Sequence, residues 1–393
     1  MTRAYVFRLR PTARQHVALA ACVDAHRELY NAALQERRDA WSHAGRTRIR
    51  YGDQSAQLTE MRAASPDQAV WSFSSQQATL RRLNKAFAGF FGRVKVGQTP
   101  GYPRFKGKAR FDSVEWPKGG DGARWLPERS RVYLQGIGQV KADLHRQVAG
   151  RVKTIQIKRQ GRRWMLVLSC DDVPTKPLPV TGRQAGIDVG IVSFATTSDG
   201  ERIDNPRWAR AASERLAAAQ QRLQRARRGG RNRAAKRETV AARYRKIANQ
   251  RKDFHHKQAR ELATRYDLIV VEDLTITNML RRAKPVADPA NPGHYLPNGA
   301  RAKSGLNRSI SDAGWGQFVL ILRAKAEEAG RAWIEVDPRH TSDRCEACGH
   351  VARANRVTQA EFACQRCAHR TQADEHAARN ILRAGLAHHT HAA

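Results

Sequence analysis

Four of the six cysteines have the spacing of a zinc site. Cys345 and Cys348 form one Cys-x-x-Cys pair, Cys364 and Cys367 form a second, and fifteen residues separate the two pairs. Thiolates presented by two tight turns match the tetrahedral coordination of a structural Zn²⁺ ion. Because four sulfur ligands leave no coordination position for water, we expect this zinc to stabilise the fold and to take no part in a reaction.

Three acidic residues interrupt apolar surroundings where a charge is expensive. Asp188 lies between Ile187 and Val189, Glu272 follows four apolar residues, and Asp374 comes seven positions after the last cysteine of the pairs. An unpaired carboxylate in such a place costs several kcal/mol, so each of the three needs a partner, and a bridging cation would serve all of them. Oxygen ligands favour Mg²⁺ or Mn²⁺, and two such ions about 3.5 to 4 Å apart can support phosphodiester cleavage.

Simpler explanations of the three acids remain open from the residues alone. Asp188 could be an acid that is satisfied within its strand, and Glu272 could form an ion pair at the end of its strand. Asp374 could be the N-cap of the last helix, which its position favours. Local sequence does not unite the three residues in one site.

The charge of the chain indicates a polyanionic partner. In 393 residues, 71 Lys and Arg stand against 36 Asp and Glu, which gives a net charge of +35. A surface that serves solubility alone mixes both signs and stops near a net charge of about 2 to 8. Release of counterions from a nucleic-acid backbone would drive the binding of such a protein. The composition therefore predicts a globular protein that binds nucleic acid.

We expect a cytoplasmic, nucleoid-associated protein of a prokaryote. The first residues, MTRAYVFRLRPT, lack the apolar core of a signal peptide, and no stretch of about eighteen apolar residues follows. Cys22 and Cys170 lie in apolar segments, which favours buried thiols over a disulfide. The C-terminal residues His388, His389 and His391 are expected to belong to a frayed polar tail.

The first part of the chain predicts a β-barrel that carries a helical insertion. Alternating apolar residues predict strands over residues 4–10 and 131–172, and apolar residues at helical spacing predict helices over 13–44 and 74–96. Between the second helix and the later strands, the segment GYPRFKGKARFDSVEWP mixes aromatic residues with cations, which suits base stacking and phosphate contacts. An ordinary basic loop with core aromatics is the alternative. The barrel is assigned to 1–11 and 99–178, and the helical insertion to 12–98.

After a proline-rich boundary at 174–182, the pattern predicts an α/β layer with a mixed sheet. Two strands are expected over 186–200, basic helices over 206–266, a buried strand over 268–274, a helix over 315–328, a strand over 332–337 and a last helix over 374–386. Residues 281–305 are rich in Pro, Asn and Gly and predict one long loop. The zinc ribbon, residues 341–370, is expected as an insertion into a domain formed by 182–340 and 371–393.

Several motifs resemble those of the transposon-encoded RNA-guided endonucleases called TnpB, which are relatives of the type V CRISPR effectors. GIDVGIVSFA, HKQARELATRYDLIVVEDL, DPRHTSDRCEACGH and CQRC…ADEHAARNILRAG are similar to the nuclease half of that family, in the same order, and YPRFKGKARF to its N-terminal half. The resemblance spans nearly the whole chain. One departure follows the last acid: the family usually has one residue and then Asn, whereas this chain has Glu375 and His376, so Glu375 could compete for the metal.

The resemblance implies an α+β multidomain fold, in which a wedge β-barrel with a helical recognition bundle precedes an RNase H-like (RuvC) domain with an inserted zinc ribbon. It implies that Asp188, Glu272 and Asp374 are the acids of a RuvC-type site that holds Mg²⁺ or Mn²⁺. The four paired cysteines would hold the structural zinc of the ribbon.

The implied function is RNA-guided DNA cleavage by a transposable element. A guide RNA transcribed from the transposon end would pair with double-stranded target DNA, while the protein, expected as a monomeric ribonucleoprotein, would read a short target-adjacent motif. The resemblance points to Tyr51, Ser55, Gln76 and Gln77 for base contacts, since Gln can pair with adenine. Arg104, Lys106 and Lys108 are expected to contact the nucleic-acid backbone.

Two other functions compete with this hypothesis. A nuclease-silent, RNA-guided DNA-binding repressor would be expected to have a damaged acidic triad, and this chain retains all three acids. A zinc-ribbon DNA-binding accessory protein of a transposase does not account for a triad within an α/β layer. Endonuclease activity is therefore the leading hypothesis.

Overall fold

The computed structural model describes residues 1–390, with side chains as far as residue 387. The chain divides into two compact units, Met1–Pro174 and Thr175–Ala393. His391 and the side chains of His388 and His389, for which a frayed tail is expected, lie outside the described residues. In the described part of the chain, no helix combines the length and the apolar character needed to cross a membrane.

A seven-stranded antiparallel sheet forms the base of the first unit. Its order is β2-β6-β7-β1-β5-β4-β3. The strands are β1 (Arg3–Arg10), β2 (Ser113–Trp116), β3 (Ala123–Leu126), β4 (Arg131–Leu134), β5 (Gly138–Asp143), β6 (Arg151–Gln160) and β7 (Arg163–Asp171). Side chains alternate between core and surface, as Tyr5, Phe7 and Leu9 of β1 show by their burial. Among the described strands, β2 and β3 remain as edges, so the sheet is not hydrogen-bonded all round as a closed barrel would be.

Four helices lie between β1 and β2. They are α1 (Ala13–Ser42), α2 (Tyr51–Ala64), α3 (Pro66–Ala69) and α4 (Phe73–Lys95). Thr12 caps the N-terminus of α1. Its side chain accepts a hydrogen bond from the Gln15 backbone N–H, and the Gln15 side chain accepts one from the Thr12 backbone N–H. Leu19 and Leu34 of α1 and Leu80 of α4 are buried in the core of the unit. The two long helices predicted in this region are therefore present.

The second unit contains a five-stranded mixed sheet of order β10-β9-β8-β11-β14. The strands of this unit up to β14 are β8 (Gln184–Val189), β9 (Ser193–Thr197), β10 (Arg202–Asp204), β11 (Leu268–Glu272), a separate hairpin of β12 (Val286–Ala287) and β13 (Tyr295–Leu296), and β14 (Ala332–Val336). Strand β11 is parallel to both of its neighbours, β8 and β14, and is buried on both faces. The run at 268–274 therefore forms a central parallel strand, as predicted.

Helices cover both faces of this sheet. The helices of this unit are α5 (Trp208–Ala211), α6 (Ser213–Gln224), α7 (Arg231–Arg265), α8 (Ile276–Met279), α9 (Ala300–Ala313), α10 (Trp315–Glu328) and α11 (Ala373–Thr390). Ile269 and Val271 of β11 pack in one cluster with Leu262 of α7 and Phe318 of α10. Val270 faces the other way, in a cluster with Ile381 of α11. Successive side chains of β11 thus point to opposite faces of the sheet, and each face is covered by helices.

The prediction of one long loop over residues 281–305 is wrong. The segment contains the β12–β13 hairpin, and α9 begins at Ala300. Only Ile310 and Ala313, at the end of α9, are buried, so the helix carries little apolar periodicity in its first turns. Strand β10, three residues long, was also not predicted. The zinc ribbon between β14 and α11 contains the hairpin of β15 (Glu361–Ala363) and β16 (Arg370–Gln372).

Candidate functional site

Two of the three acids lie at the same edge of the mixed sheet. Strands β8 and β11 are parallel, with Ile187 opposite Val271, so Asp188 and Glu272 are the next residues of their strands. The carboxyl ends of parallel strands are the usual place for a site in an α/β sheet. Asp374, the second residue of α11, reaches the same place because α11 packs on these two strands.

Two glycines allow α11 to approach the sheet closely. A Cβ atom at Gly186 of β8 would overlap the Ala378 carbonyl oxygen and would lie 2.5 Å from the Leu382 nitrogen. A Cβ atom at Gly385 of α11 would lie 2.6 Å from the side chain of Val270 on β11. The helix that carries Asp374 therefore rests against the backbone of the strand that carries Asp188.

The three carboxylates affect one another electrostatically. Burial and the negative charges of Glu272 and Asp374 raise the pKa of Asp188 to about 7, although the positive charge of Arg356 opposes the rise. Burial also raises the pKa of Glu272, against the effect of a hydrogen bond from Thr341. Like charges concentrated in a poorly solvated site are what a divalent cation neutralises.

Residues of the ribbon hold two of the acids. Thr341 Oγ1 donates a hydrogen bond of 2.6 Å to Glu272 Oε1, and Arg356 donates one of 3.1 Å to Asp374 Oδ1. The Asn380 side chain of α11 in turn donates to the Thr341 carbonyl oxygen at 3.0 Å. Neither Thr341 nor Arg356 was predicted as a site residue, because a hydrogen bond between residues so distant in sequence leaves no local signal.

The donor set of the three acids fits Mg²⁺ or Mn²⁺, since carboxylate oxygens are hard ligands. Within the described residues, the three do not form a group whose ligand atoms all lie within 4.8 Å of one another, and Asp374 is paired with Arg356. Glu375 pairs with Arg379 of the same helix at 3.0 Å. In this arrangement the Glu375 carboxylate is engaged by an arginine.

The four paired cysteines come together as one cluster. Their sulfur atoms all lie within 4.8 Å of one another, with 3.6 Å between Cys345 and Cys367 and 3.6 Å between Cys348 and Cys364. Tetrahedral bonds of about 2.3 Å to zinc place two sulfurs about 3.8 Å apart. Burial would raise the pKa of Cys364, but backbone N–H groups of the Cys364–Cys367 turn lower it to about 6. The cluster therefore fits a structural zinc ion.

Three models of protein families match parts of the chain. Residues 167–283 match a model described as "Probable transposase", residues 315–381 match "Cas12f1-like, TNB domain", and residues 1–46 match "Helix-turn-helix domain". Over 98% of its length the chain is 32% identical to 92% of the "Putative RNA-guided DNA endonuclease InsQ" of Escherichia coli (strain K12). The chain belongs to the TnpB family of RNA-guided DNA endonucleases.

A second TnpB-family relative is similar over the same share of the chain. It is a "Putative RNA-guided DNA endonuclease" of Streptomyces pristinaespiralis, 32% identical over 98% of this chain and 90% of the relative. Among solved structures, a "Cryo-EM structure of the Cas12f1-sgRNA-target DNA complex" contains a protein with 16% identity and a TM-score of 0.35, matched over 97% of this chain and 99% of that one. Residues 1–46, which match the helix-turn-helix model, form β1 and the single long helix α1.

The structure corrects one of the base contacts expected from the TnpB resemblance. Gln76 is 0% exposed. Its Nε2 donates to the Gln68 carbonyl oxygen at 2.9 Å, and its Oε1 accepts from Arg62 at 2.6 Å. The amide is therefore fully engaged within the helical insertion and is not available to a base edge. Its position on an amphipathic helix did not distinguish a buried Gln from a solvated one.

The other three residues expected to contact bases lie near one another where α2 meets α4. Gln77 Nε2 donates to Ser55 Oγ at 3.1 Å, and Tyr51 OH accepts from Arg81 at 3.4 Å. Tyr51, Ser55 and Gln77 are all half-buried.

The residues expected to contact the nucleic-acid backbone lie in the loop before β2. Arg104 and Lys108 are exposed. Lys106 is half-buried, and its backbone N–H donates to the Asn31 side chain at 2.8 Å. Arg104 and Lys106 line a cleft of about 430 Å³ whose walls also include Tyr102 and Phe105. The cleft thus combines aromatic rings with cations.

Proposed function

We propose that this chain is an RNA-guided DNA endonuclease that hydrolyses phosphodiester bonds at Asp188, Glu272 and Asp374 with the help of Mg²⁺ or Mn²⁺. The observation that carries the proposal is the convergence of these three carboxylates from β8, β11 and α11, where burial and the charges of Glu272 and Asp374 raise the pKa of Asp188 to about 7. Membership of the TnpB family supports the reaction class.

The protein contributes a fixed arrangement of ligands. Two divalent ions, when bound, would activate a water molecule and stabilise the leaving oxygen. Thr341 orients an oxygen of Glu272, and the close seat of α11 on β8 sets the position of Asp374. Arg356 supplies positive charge beside Asp374. The contacts of Thr341 and of α11 reduce the rearrangement that metal binding needs, whereas the ion pair with Arg356 occupies one oxygen of Asp374.

The zinc ribbon has a structural role in this proposal. It carries Thr341 at its start and Arg356 in its middle, and its last strand leads directly into α11. A zinc ion held by the four cysteines would fix the two pairs relative to each other and so keep both supporting side chains in place.

Nucleic acids are the proposed partners. The net charge of +35 supports a guide RNA, transcribed from the transposon end, and double-stranded target DNA as ligands of a monomeric ribonucleoprotein. In this proposal Arg104, Lys106 and Lys108 contact the backbone, and Tyr51, Ser55 and Gln77 read the target-adjacent motif. Gln76 is excluded from that role by its burial.

The proposed domain assignment follows the family. The wedge comprises 1–11 and 99–178, the recognition insertion 12–98, the RuvC-like domain 182–340 and 371–393, and the ribbon 341–370. The boundary between the two compact units, after Pro174, is compatible with the start of the nuclease domain.

The decisive test uses the protein purified with co-expressed RNA and a plasmid library with a randomised flank beside the target, in Mg²⁺. We expect one class of flanks to be depleted by cleavage. Asp188→Ala should reduce cleavage at least about a hundredfold, so that the depletion disappears, because a metal ligand is lost. Asp204→Ala, which removes an exposed acid from β10 of the same sheet, is the matched control and should cleave normally.

The other outcomes decide against the proposal in different ways. Binding of target plasmid without depletion would indicate a nuclease-silent, RNA-guided repressor. Products whose ends are joined to new DNA would indicate a transposase. A preparation that is active but contains no RNA would contradict guidance by RNA.

A further inference from the structure

A second group of metal-ligating side chains lies next to the cysteine cluster. Glu346, His369 and His376 present one carboxylate oxygen and two imidazole nitrogens, all within 4.8 Å of one another. Glu346 belongs to the first Cys-x-x-Cys turn, His369 follows the second, and His376 lies in the first turn of α11. The three elements that meet here are those that determine where α11 begins.

The hydrogen bonds of His376 indicate which of its two ring nitrogens carries the proton when the ring is neutral. The other nitrogen faces Glu346. His376 is 0% exposed, and its Nε2 lies 2.8 Å from the Arg344 carbonyl oxygen. Asn380 Nδ2 also lies 3.1 Å from Nε2, but its two protons are donated to the carbonyl oxygens of Thr341 and Arg344. The contact with the Arg344 carbonyl oxygen therefore places a proton on Nε2, because a carbonyl oxygen can only accept. In the neutral ring, Nδ1 therefore carries a lone pair.

Nδ1 of His376 faces the Glu346 carboxylate. It is buried and lies 3.6 Å from Glu346 Oε1, which is an ion-pair distance but too long for a hydrogen bond. The approach requires positive charge between the two atoms, which either a proton on Nδ1 or a metal ion would supply, and a protonated His376 paired with Glu346 predicts that no metal ion binds. His369 Nε2 lies 3.0 Å from the same carboxylate oxygen.

We propose that Glu346, His369 and His376 form a second divalent-cation site, selective for Zn²⁺ and similar ions, which joins the ribbon to α11. Imidazole and carboxylate ligands bind zinc at about 2.0 to 2.2 Å, so tetrahedral ligand atoms lie about 3.4 Å apart. The distances of 3.0 and 3.6 Å fall on either side of that value. Three protein ligands leave a fourth position for water, and the partly exposed His369 gives access from solvent.

One positive charge already lies close to this group. Arg379 NH1 is 3.5 Å from Glu346 Oε1, and the same guanidinium also contacts Glu375 and Thr371. These contacts of Arg379 are with oxygen atoms, and its buried Nε has no hydrogen-bond partner among the described residues. A cluster held by the Arg379 ion pair alone is nevertheless the competing explanation, and it predicts that no second metal ion binds.

The test is the metal content of the full-length protein, loaded with Zn²⁺ and dialysed in excess Mg²⁺, which occupies the carboxylate site. His388, His389 and His391 are replaced by Ser so that the tail contributes no ligands. We expect two zinc ions per chain by mass spectrometry of the digested sample. Glu346→Gln, His369→Gln and His376→Asn should each retain one, and the ribbon control His350→Gln should retain two.

Cobalt separates loss of the site from loss of the fold. When the same variants are loaded with Co²⁺, the thiolate-to-cobalt absorption of the cysteine cluster should persist, while the weaker absorption of the second ion should disappear. A protein that binds a single zinc ion before any of the three substitutions would overturn the proposal. Two ions retained in all three variants would overturn it as well, because the second ion would then lie elsewhere.

Discussion

At the scale of single residues, Asp188 carries a charge that the folded protein opposes. Its pKa, about 7, lies above the ordinary value of 3.8 because of burial and the charges of Glu272 and Asp374. The folded state therefore binds this proton more tightly than the unfolded state does. The stability contributed by the protonated group is present below about pH 4 and is lost as the pH rises through about 7.

Substitution of Asp188 by Asn should therefore stabilise the protein while it abolishes cleavage. At pH 8 without added Mg²⁺, we expect the free energy of unfolding to rise by roughly 1 to 2 kcal/mol, because the amide removes the repulsion among the three carboxylates. Below about pH 4 the gain should vanish, since the carboxyl group is then protonated in both states. Chemical denaturation of Asp188→Asn and of the control Asp204→Asn, with zinc retained, measures the difference. A variant less stable than the wild type at pH 8 would contradict the electrostatic account.

The same scale shows where inference from sequence stops. Asp188 and Glu272 are visible in the sequence as charges among apolar neighbours, and the cysteines are visible by their regular spacing. Asp374 was united with the other two acids by the resemblance to the TnpB family. Thr341 and Arg356 touch the acids only through folding and belong to common residue types. The burial of Gln76 depends in the same way on Arg62 and Gln68, which come from other parts of the helical insertion.

At the scale of elements, the position of Asp374 depends on how closely α11 lies against β8 and β11. Gly186 and Gly385 remove the two Cβ atoms that would separate helix and sheet. Their role could not be recognised from the sequence, because a glycine in a strand or helix has several ordinary explanations. The bounds of the helix over 315–328 were predictable from its apolar residues. The start of α9 was not, because its first turn continues a stretch rich in Pro, Asn and Gly that extends to Gly305, although Leu306, Ile310 and Ala313 recur at helical spacing.

Replacing Gly186 by Ala should push α11 away from the sheet. We expect a loss of roughly 1 to 3 kcal/mol of unfolding free energy, because the added methyl group meets backbone atoms that cannot turn aside. Cleavage should fall more than tenfold through displacement of Asp374. Gly305→Ala is the matched control: it lies in α9 with no atom within 4 Å of the added Cβ and should stabilise the helix by about 0.5 to 1 kcal/mol. The unfolding free energy and the cleavage rate are measured for both variants. Equal values for Gly186→Ala and Gly305→Ala would disprove the claim that close packing of α11 on β8 positions Asp374.

At the scale of the whole molecule, charge is the property that the sequence predicted most directly. The net charge of +35 belongs to the chain and does not depend on the fold. What the fold adds is the arrangement of that charge beside aromatic rings, as in the cleft lined by Arg104, Lys106 and Tyr102. The mixture of cations and aromatic residues in the loop was visible in the sequence, but the contribution of α1 and α4 to the walls of the cleft was not, because these helices lie far from the loop along the chain.

Binding of RNA should accordingly weaken steeply as the salt concentration rises. Arg104 should contribute about one phosphate contact to the slope of log affinity against log salt. A protein that neutralises about 6 to 10 phosphates loses roughly 10³- to 10⁵-fold in affinity between 50 and 200 mM salt. Titrations of RNA at several salt concentrations give the slope of log affinity against log salt. Arg104→Ala should reduce that slope by about 0.7 to 0.9, whereas Arg104→Lys, which keeps the charge, should preserve it. A slope unchanged in Arg104→Ala would mean that this side chain touches no phosphate, and the cleft would lose its assigned role in binding the backbone.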